Sequence, residues 1–573
     1  MSSLPIVNIA PISASGEAAG SAEEFSLVQM LLREQQDLSA VERFAREGAT
    51  SAAPAAEKYY RALMPAAAPG PGQQYGFEVD LDRCSGCKAC VTACHGLNGL
   101  DEGETWRDVG LLVGGTRSAP VMQHVTTACH HCVSPACMIA CPVNAYEKDP
   151  QTGIVKHLDD QCFGCQYCTM ACPYDVPKYH AGKGIVRKCD MCSTRLAADE
   201  APACVQACPH QAISIQLVDV QQTVEDAEAT NFLPAAPDPQ ITYPTTTYRT
   251  RRVFPRNMLP VDYFQVGPQH PHWPLVVMLV LTQLSVGAFA VGLVLEGAVT
   301  GSPAAPMRQL HGLTALVFGL VALAASTFHL GRPQYAYRAI LGLRHSWMSR
   351  EILAFGVFAG LACVYAAALV LLPPGASPMP TWLGGAVVAV GAVGVFGSVM
   401  IYATLGREFW SFPRTTLRFL LTAGLLGTAT AWLSVVLFAL AEPDPDAEQV
   451  LASAGRLLCP ALILLASAKL LWEASLLRHL LSRSMTQLKR SAMLMTGELS
   501  NYTLARFATG LAGGVFVPAI LLAKVQSAEG PLDSFGVAVL TAVLFAACLA
   551  GEILERYLFF AAVAAPRMPG GIR

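Results

Sequence analysis

The predicted fold class is an α+β cysteine-rich domain joined to an all-α polytopic membrane domain of eight transmembrane helices, and two observations carry it. Sixteen of the 19 cysteines fall between Cys84 and Cys208, and eight apolar runs of about 20 residues follow from Trp273, each long enough to cross a hydrocarbon core of about 30 Å as a helix. Composition agrees: 53% of the 573 residues are hydrophobic and 14% charged, against about 25% charged in a water-soluble globular protein. Residues 1–269 hold 20 Lys and Arg against 29 Asp and Glu, a balance of −9, and residues 270–573 hold 19 against 13, a balance of +6. A secreted disulfide scaffold is excluded, because such domains are short and lack a membrane half. Nucleic acid is excluded as a partner, since no basic stripe lies outside the loops.

Taken in order, residues 1–72 precede the cysteines. They open without a charged and apolar leader or a twin-arginine pair, so no export signal is read there. From Glu23 to about Arg46 the residues Phe25, Val28, Leu31, Leu32, Leu38, Val41 and Phe44 recur at roughly helical spacing, which predicts one or two amphipathic helices. Pro69, Gly70, Pro71 and Gly72 mark a linker. Residues 73–216 hold the cysteines. Residues 217–272 are rich in Pro and Thr, end in the basic cluster Arg249, Arg251, Arg252 and Arg256, and read as an extended connector wrapping the domain before it. Residues 273–573 form the membrane domain, with spans near 273–295, 310–330, 351–372, 382–403, 419–440, 457–477, 503–523 and 535–558. Nineteen basic loop residues lie on one side, from Arg249 to Arg573, against Arg308, Arg456 and Lys524 on the other. The positive-inside rule then puts both termini and the cysteine domain on the cytoplasmic side of a bacterial inner membrane.

The sixteen cysteines repeat one pattern four times. Cys84, Cys87, Cys90 and Cys94 are spaced C-x2-C-x2-C-x3-C, and Cys162, Cys165, Cys168 and Cys172 repeat this with Pro173 following. Cys129, Cys132, Cys137 and Cys141 widen the middle gap to four residues before Pro142, and Cys189, Cys192, Cys204 and Cys208 widen it to eleven before Pro209. Three thiolates on one tight loop hold three irons of a cubane, and the fourth reaches the neighbouring cluster, which is why the spacing comes in pairs. Sixteen thiolates divide into four [4Fe–4S] clusters on a double ferredoxin-like domain. Structural zinc, the alternative, takes ligands as two pairs and fits a triple C-x2-C-x2-C poorly.

Ionisable residues inside membrane spans are costly and are functional candidates by default. His329 ends the second span, Glu351 opens the third, Lys469 and Glu473 lie low in the sixth, and Glu552, Glu555 and Arg556 close the eighth, all toward the cytoplasmic leaflet. A quinol gives up two protons with its two electrons, so its site needs proton acceptors beside the clusters, and a histidine with a carboxylate suits that role. Lys469 and Glu473, four apart on one helix face, read as an anchor or a buried pair. His311 and His329, 18 residues or roughly 27 Å apart on one helix, do not bracket one haem, so no haem is expected.

The cysteine spacing resembles the four-cluster electron-transfer subunit of the DMSO reductase family of molybdenum enzymes. That resemblance implies the ligand sets Cys84, Cys87, Cys90 with Cys208; Cys189, Cys192, Cys204 with Cys94; Cys129, Cys132, Cys137 with Cys172; and Cys162, Cys165, Cys168 with Cys141. Nitrate reductase relatives carry tryptophan where this chain has Cys165, so no three-iron cluster is implied. One departure is that His95, not proline, follows Cys94. The segments His329-Leu-Gly-Arg-Pro333, His345 to Glu351, Met400 to Trp410 and Gly551 to Arg556 resemble the haem-free, eight-helix, menaquinol-binding anchor subunit of the same reductases. By that analogy His329 and Glu351, with Glu552 and Arg556, belong to the quinone site. The chain then reads as two subunits fused into one, passing electrons between quinone and a separate molybdopterin-containing catalytic subunit. The cytoplasmic orientation departs from the exported DMSO reductases and points to oxyanion chemistry such as sulfite oxidation. A redox-linked proton-pump component resembling polysulfide reductase or alternative complex III is the second reading; a continuous chain of polar residues to the outer face would favour it, and the outer halves of the spans are nearly bare.

Overall fold

The computed structural model describes residues 26–36, 39–50, 56–230, 232–298, 304–373, 379–441, 445–527 and 534–570. It forms two compact units, Met1–Arg61 and Ala62–Arg573. In the first, helices Leu27–Gln36 and Ala40–Thr50 each start at a reciprocal cap. Ser26 exchanges hydrogen bonds with Gln29, and Ser39 with Glu42, satisfying backbone donors that a helix start leaves free. Phe25 and Leu38 lie outside the described residues, while Val28, Leu31, Leu32, Val41 and Phe44 are exposed.

The second unit begins with strand β1 (Gln73–Asp80), which pairs antiparallel with β8 (Ile213–Asp219) in the register Phe77 to Ile215 and parallel with β9 (Thr247–Arg249). A second sheet joins β2 (Asp108–Gly115), β3 (Pro120–Thr127) and the short β10 (Leu259–Pro260). Two small hairpins, β4 (Tyr146–Lys148) with β5 (Val155–His157) and β6 (Lys178–His180) with β7 (Ile185–Arg187), complete a ferredoxin-like α+β domain. The segment after residue 217 wraps the domain as β9 and β10, but it is not extended throughout. Helix Val220–Glu228 opens it, started by the Asp219 carboxylate accepting from the Gln222 amide.

Among the described residues, eight helices are long and apolar enough to cross a membrane. They are Trp273–Ala298, Ala304–Thr327, Trp347–Leu371, Met379–Ala403, Phe412–Ala441, Pro445–Ala474, a broken seventh, and Ser534–Ala561. The seventh runs Ser500–Leu511 and Val517–Ser527 around a π-helical turn, Ala512–Phe516, where Gly513 and Gly514 press against Cys548 and Ala466. The first and fifth helices are the most enclosed.

The two halves of this unit meet through the main chain. The Arg332 amide donates to Phe163 O at 3.0 Å, the Gly342 amide to Pro142 O at 2.9 Å, and Ser346 Oγ to Ala140 O at 2.7 Å. His345 Nε2 lies 3.0 Å from Cys141 O, the Tyr167 hydroxyl donates to Ile401 O at 2.8 Å, and Arg407 donates to Met170 O at 3.0 Å. Glycine is required at this contact: a Cβ on Gly331 would stand 2.6 Å from Gly184 C and 2.7 Å from its Cα.

Candidate functional site

The cysteine loops are shaped by left-handed residues between or beside the thiols. Gly86 (φ 76°), His131 (φ 42°), Gly164 (φ 74°) and Met191 (φ 59°) each stand just before the second cysteine of a group. A left-handed residue there turns the backbone tightly enough to present several side chains to one point. Short helices then carry the third cysteine: Ala89–Leu97, Ala136–Ala140, Tyr167–Ala171 and Ala203–Gln206. Where proline follows the fourth cysteine, the residue before it is driven out of helical backbone, and Cys141 (ψ 121°) and Cys172 (ψ 118°) are extended. Cys94 lacks that proline, and its helix runs on to Leu97; the His95 ring turns to Asp101 O at 3.1 Å.

The thiols converge in four groups. Cys84 has Cys90, Cys208 and Cys87 as its electrostatic neighbours. Cys94 has Cys204 and Cys192; Cys137 has Cys172, Cys129 and Cys132; Cys168 has Cys165, Cys141 and Cys162. Cys84, Cys87, Cys90 and Cys208 line a cavity of about 310 Å³, and Cys129, Cys132, Cys137 and Cys172 one of about 350 Å³. The donors suit an iron–sulfur cage. Main-chain amides point at the sulfurs, from Ala145 to Cys141 at 3.3 Å and from Ala212 to Cys208 at 3.2 Å. Burial pushes the Cys94 thiol up to about 12 and Cys172 to about 11, so binding a metal there has to displace the thiol protons.

Neighbouring groups also lie within electrostatic reach of one another. Cys204 has Cys90 beside it, Cys189 has Cys129, and Tyr146 lies against both Cys168 and Cys137. Cys87 is exposed at one end of this series, whereas Cys141, Cys162, Cys165 and Cys168 at the other are buried where the domain meets the membrane helices.

On the membrane side His329 lies just beyond the second helix. Burial pushes its imidazole down to about 4, opposed by the Ser326 main chain, and His272 is its charged neighbour. Glu351 is buried in the second turn of the third helix and accepts from Ser398 Oγ. Two tyrosines flank it, Tyr402 and Tyr167, and Tyr167 also has Cys165 as a neighbour. Sequence reasoning misses Tyr167, although an aromatic spacer between Cys165 and Cys168 is its available signal. No hydrogen bond or ion pair joins His329 to Glu351 among the described residues.

Glu552 and Arg556 stand in a different environment, a buried network of seven charged side chains from four helices. Lys469 pairs with Glu552, not with Glu473; Glu473 instead takes a two-pronged bond from Arg506, at 2.8 and 2.9 Å. The sequence expectation of a Lys469–Glu473 pair is thereby corrected, because both side chains find stronger partners on other helices. Arg506 also reaches Glu552 at 3.0 Å, and Glu555 lies between Arg556 at 3.4 Å and Arg418 at 3.8 Å. Arg556 donates to Gln283 Oε1 at 2.9 Å. Above this network the bundle is not bare: Ser285, Thr430 and Ser434 are buried, and His311 bonds Ala288 O at 2.8 Å and Ser434 Oγ at 3.1 Å.

Comparison with known proteins follows the same division. The 4Fe-4S dicluster domain family matches residues 120–218, and the DMSO reductase anchor subunit (DmsC) family matches residues 267–562, more than half of the sequence. The B subunit of the anaerobic dimethyl sulfoxide reductase of Haemophilus influenzae is 35% identical over 189 residues, covering 31% of this protein and 91% of that one. The subunit of the same name from Escherichia coli (strain K12) is 37% identical over 154 residues, covering 26% and 75%. The thiosulfate reductase electron transfer subunit PhsB of Salmonella typhi is 38% identical over 149 residues, covering 26% and 77%. The protein thus belongs to the DMSO reductase anchor subunit family, with an iron–sulfur electron-transfer subunit of the dimethyl sulfoxide reductase type fused in front of its eight-helix anchor.

Proposed function

We propose that this fusion relays electrons between membrane quinone and a separate molybdopterin-containing catalytic subunit through four [4Fe–4S] clusters. The clusters would be held by Cys84, Cys87, Cys90 and Cys208; by Cys189, Cys192, Cys204 and Cys94; by Cys129, Cys132, Cys137 and Cys172; and by Cys162, Cys165, Cys168 and Cys141. The observation that carries the reading is the exchange of fourth ligands, in which the last cysteine of each group lies among the first three of another. A bound cubane supplies one-electron chemistry. The contacts between groups support a linear order, from the Cys162 set at the membrane through the Cys129 and Cys189 sets to the Cys84 set. There the exposed Cys87 faces the catalytic partner.

At the membrane end, His329 and Glu351 are the proton acceptors of the quinone site. The buried His329 ring is neutral at physiological pH and so offers a ring nitrogen to a quinol hydroxyl, and Glu351, held by Ser398, is near Tyr167 and the Cys165 loop. Glu552 and Arg556 serve this site at one remove, since their charges are engaged within the helix network. Of the 19 basic residues on one side, Arg418, Arg506 and Arg556 lie inside the helix network; the remaining 16, against three, support a cytoplasmic iron–sulfur domain in an inner membrane, and hence a catalytic partner acting on an oxyanion in the cytoplasm.

Purified protein tests both ends. About sixteen irons per molecule are expected from four cubanes, and four zincs without visible absorption refute the reading. His329→Ala should abolish quinol-driven cluster reduction while dithionite still bleaches every cluster; unchanged quinol-driven reduction overturns the quinone site.

A further inference from the structure

Two buried cations in the iron–sulfur domain have no carboxylate partner among the described residues, and each stands between two thiol groups. Arg107 is 3% exposed; its Nη1 donates to Thr126 Oγ1 at 3.1 Å and its guanidinium lies 4.7 Å from the Phe77 ring centroid. Its charged neighbours are thiols from two different sets: Cys90 from one, and Cys204, Cys189 and Cys94 from the other. Lys188 is also 3% exposed. Its ammonium donates to Val155 O, to Cys189 O at 2.8 Å and toward Cys129 Sγ at 3.6 Å, and its thiol neighbours are Cys129, Cys137 and Cys189. The Cys162 set has His157 and Tyr146 as polar neighbours in place of such a cation.

A buried charge without a counter-charge is expensive. Among the described residues, the negative charge placed to repay that cost is the one the thiolate cages would carry. Resting on the four-cluster reading above, we infer that Arg107 and Lys188 are positioning residues for charge, each a shared counter-ion that eases reduction of the two clusters flanking it. One-electron reduction adds one negative charge to a cage and neither forms nor breaks a bond. A fixed cation at the boundary favours that added charge on either side and screens two reduced neighbours from one another. Arg107 serves the Cys84 and Cys189 sets, Lys188 the Cys129 and Cys189 sets, and the Cys162 set is served by neither.

The test is an EPR-monitored redox titration of the full-length protein in detergent, comparing wild type with Arg107→Met, Lys188→Met and the charge-keeping Arg107→Lys and Lys188→Arg. Each neutral variant should lower two of the four midpoints by about tenfold in the reduction equilibrium, or about 59 mV for one electron. One midpoint should move in both variants and one in neither, and the charge-keeping variants should restore the wild-type values. The inference is overturned by unmoved midpoints at full iron content, by shifts spread over all four clusters, or by equal shifts in the charge-keeping variants. A neutral variant that loses its iron also counts against it, because the charge would then be building the cages and not tuning them. Fewer than four clusters in the wild type refutes the underlying reading instead, so the two failures are distinct.

Discussion

Replacing Gly331 by alanine isolates the contact between the iron–sulfur domain and the helices from everything inside either. The added Cβ would stand 2.6 Å from Gly184 C and 2.7 Å from Gly184 Cα, and closer still to Gly184 O. Carbon atoms rest at about 3.5–4.0 Å, so the loop has to withdraw by roughly 1 Å. Forcing a methyl group into filled space costs about 1–3 kcal/mol. The withdrawal also loosens the Gly331 amide bond to Gly164 O at 3.4 Å and the Arg332 amide bond to Phe163 O at 3.0 Å, each with a net contribution of about 0.5–1.5 kcal/mol. Together the junction weakens by about 2–6 kcal/mol. The loop that yields is the one between Cys162 and Cys165, while Gly342, His345 and Ser346 still grip Pro142, Cys141 and Ala140. The expected result is a full complement of iron and normal bleaching by dithionite. Quinol-driven reduction, measured by stopped-flow absorbance, should slow by up to about 100-fold, the penalty for misplacing reacting groups by about 1 Å. Gly360, with nothing within 4 Å of its added Cβ, is the control, and its alanine variant should behave as wild type. Wild-type quinol kinetics and stability in Gly331→Ala would refute the junction as the point of electron entry.

The buried network ranks two further substitutions. It holds four cations, Arg418, Lys469, Arg506 and Arg556, against three carboxylates, Glu473, Glu552 and Glu555. Breaking a buried pair costs about 3–5 kcal/mol. Lys469→Met leaves three charges of each sign, whereas Glu552→Gln leaves four cations to two anions, so thermal melting in detergent should show the glutamate variant as the less stable; the reverse order would sink the charge argument. His329 gives a pH dependence with a definite sign. Its imidazole is pushed down to about 4 when folded and titrates near 6.5 when unfolded. The unfolded state therefore binds the extra proton between those values, and stability present above about pH 6.5 is lost as pH falls toward 4. His329→Gln should flatten that acid limb in a melting series, and superimposable curves would count against burial as the cause.

Local chemistry is readable in the sequence and partnership across distant segments is not. Pro142 and Pro173 announce where the cysteine helices stop, because their effect reaches only one residue back. The eight spans are legible for a related reason, since apolar length is a property of each segment alone. Lys469 and Glu473 mislead because helical spacing places them on one face but says nothing of Glu552 and Arg506, which arrive from the eighth and seventh helices. Helix Val220–Glu228 is hidden by the prolines and threonines around it, although Asp219 is a visible start signal and Val220, Val224 and Ala227 carry the period. The convergence at Gly164, Gly184 and Gly331 has no sequence signal at all. A glycine needed for close approach reads the same as one needed for a turn.

Because the connector from Leu217 to His272 ties the two halves into one polypeptide, their meeting is intramolecular, at an effective concentration in the millimolar range. An apolar core runs unbroken across the meeting, with Phe163 and Tyr167 on one side and Met348 and Ile401 on the other. The carbonyl oxygens, amides and glycines around it add little adhesion but fix separation closely. Fusion thus converts what would be a problem of affinity into one of alignment. Severing the connector while leaving every contact intact should separate a relay that still docks correctly from one that docks often enough to matter.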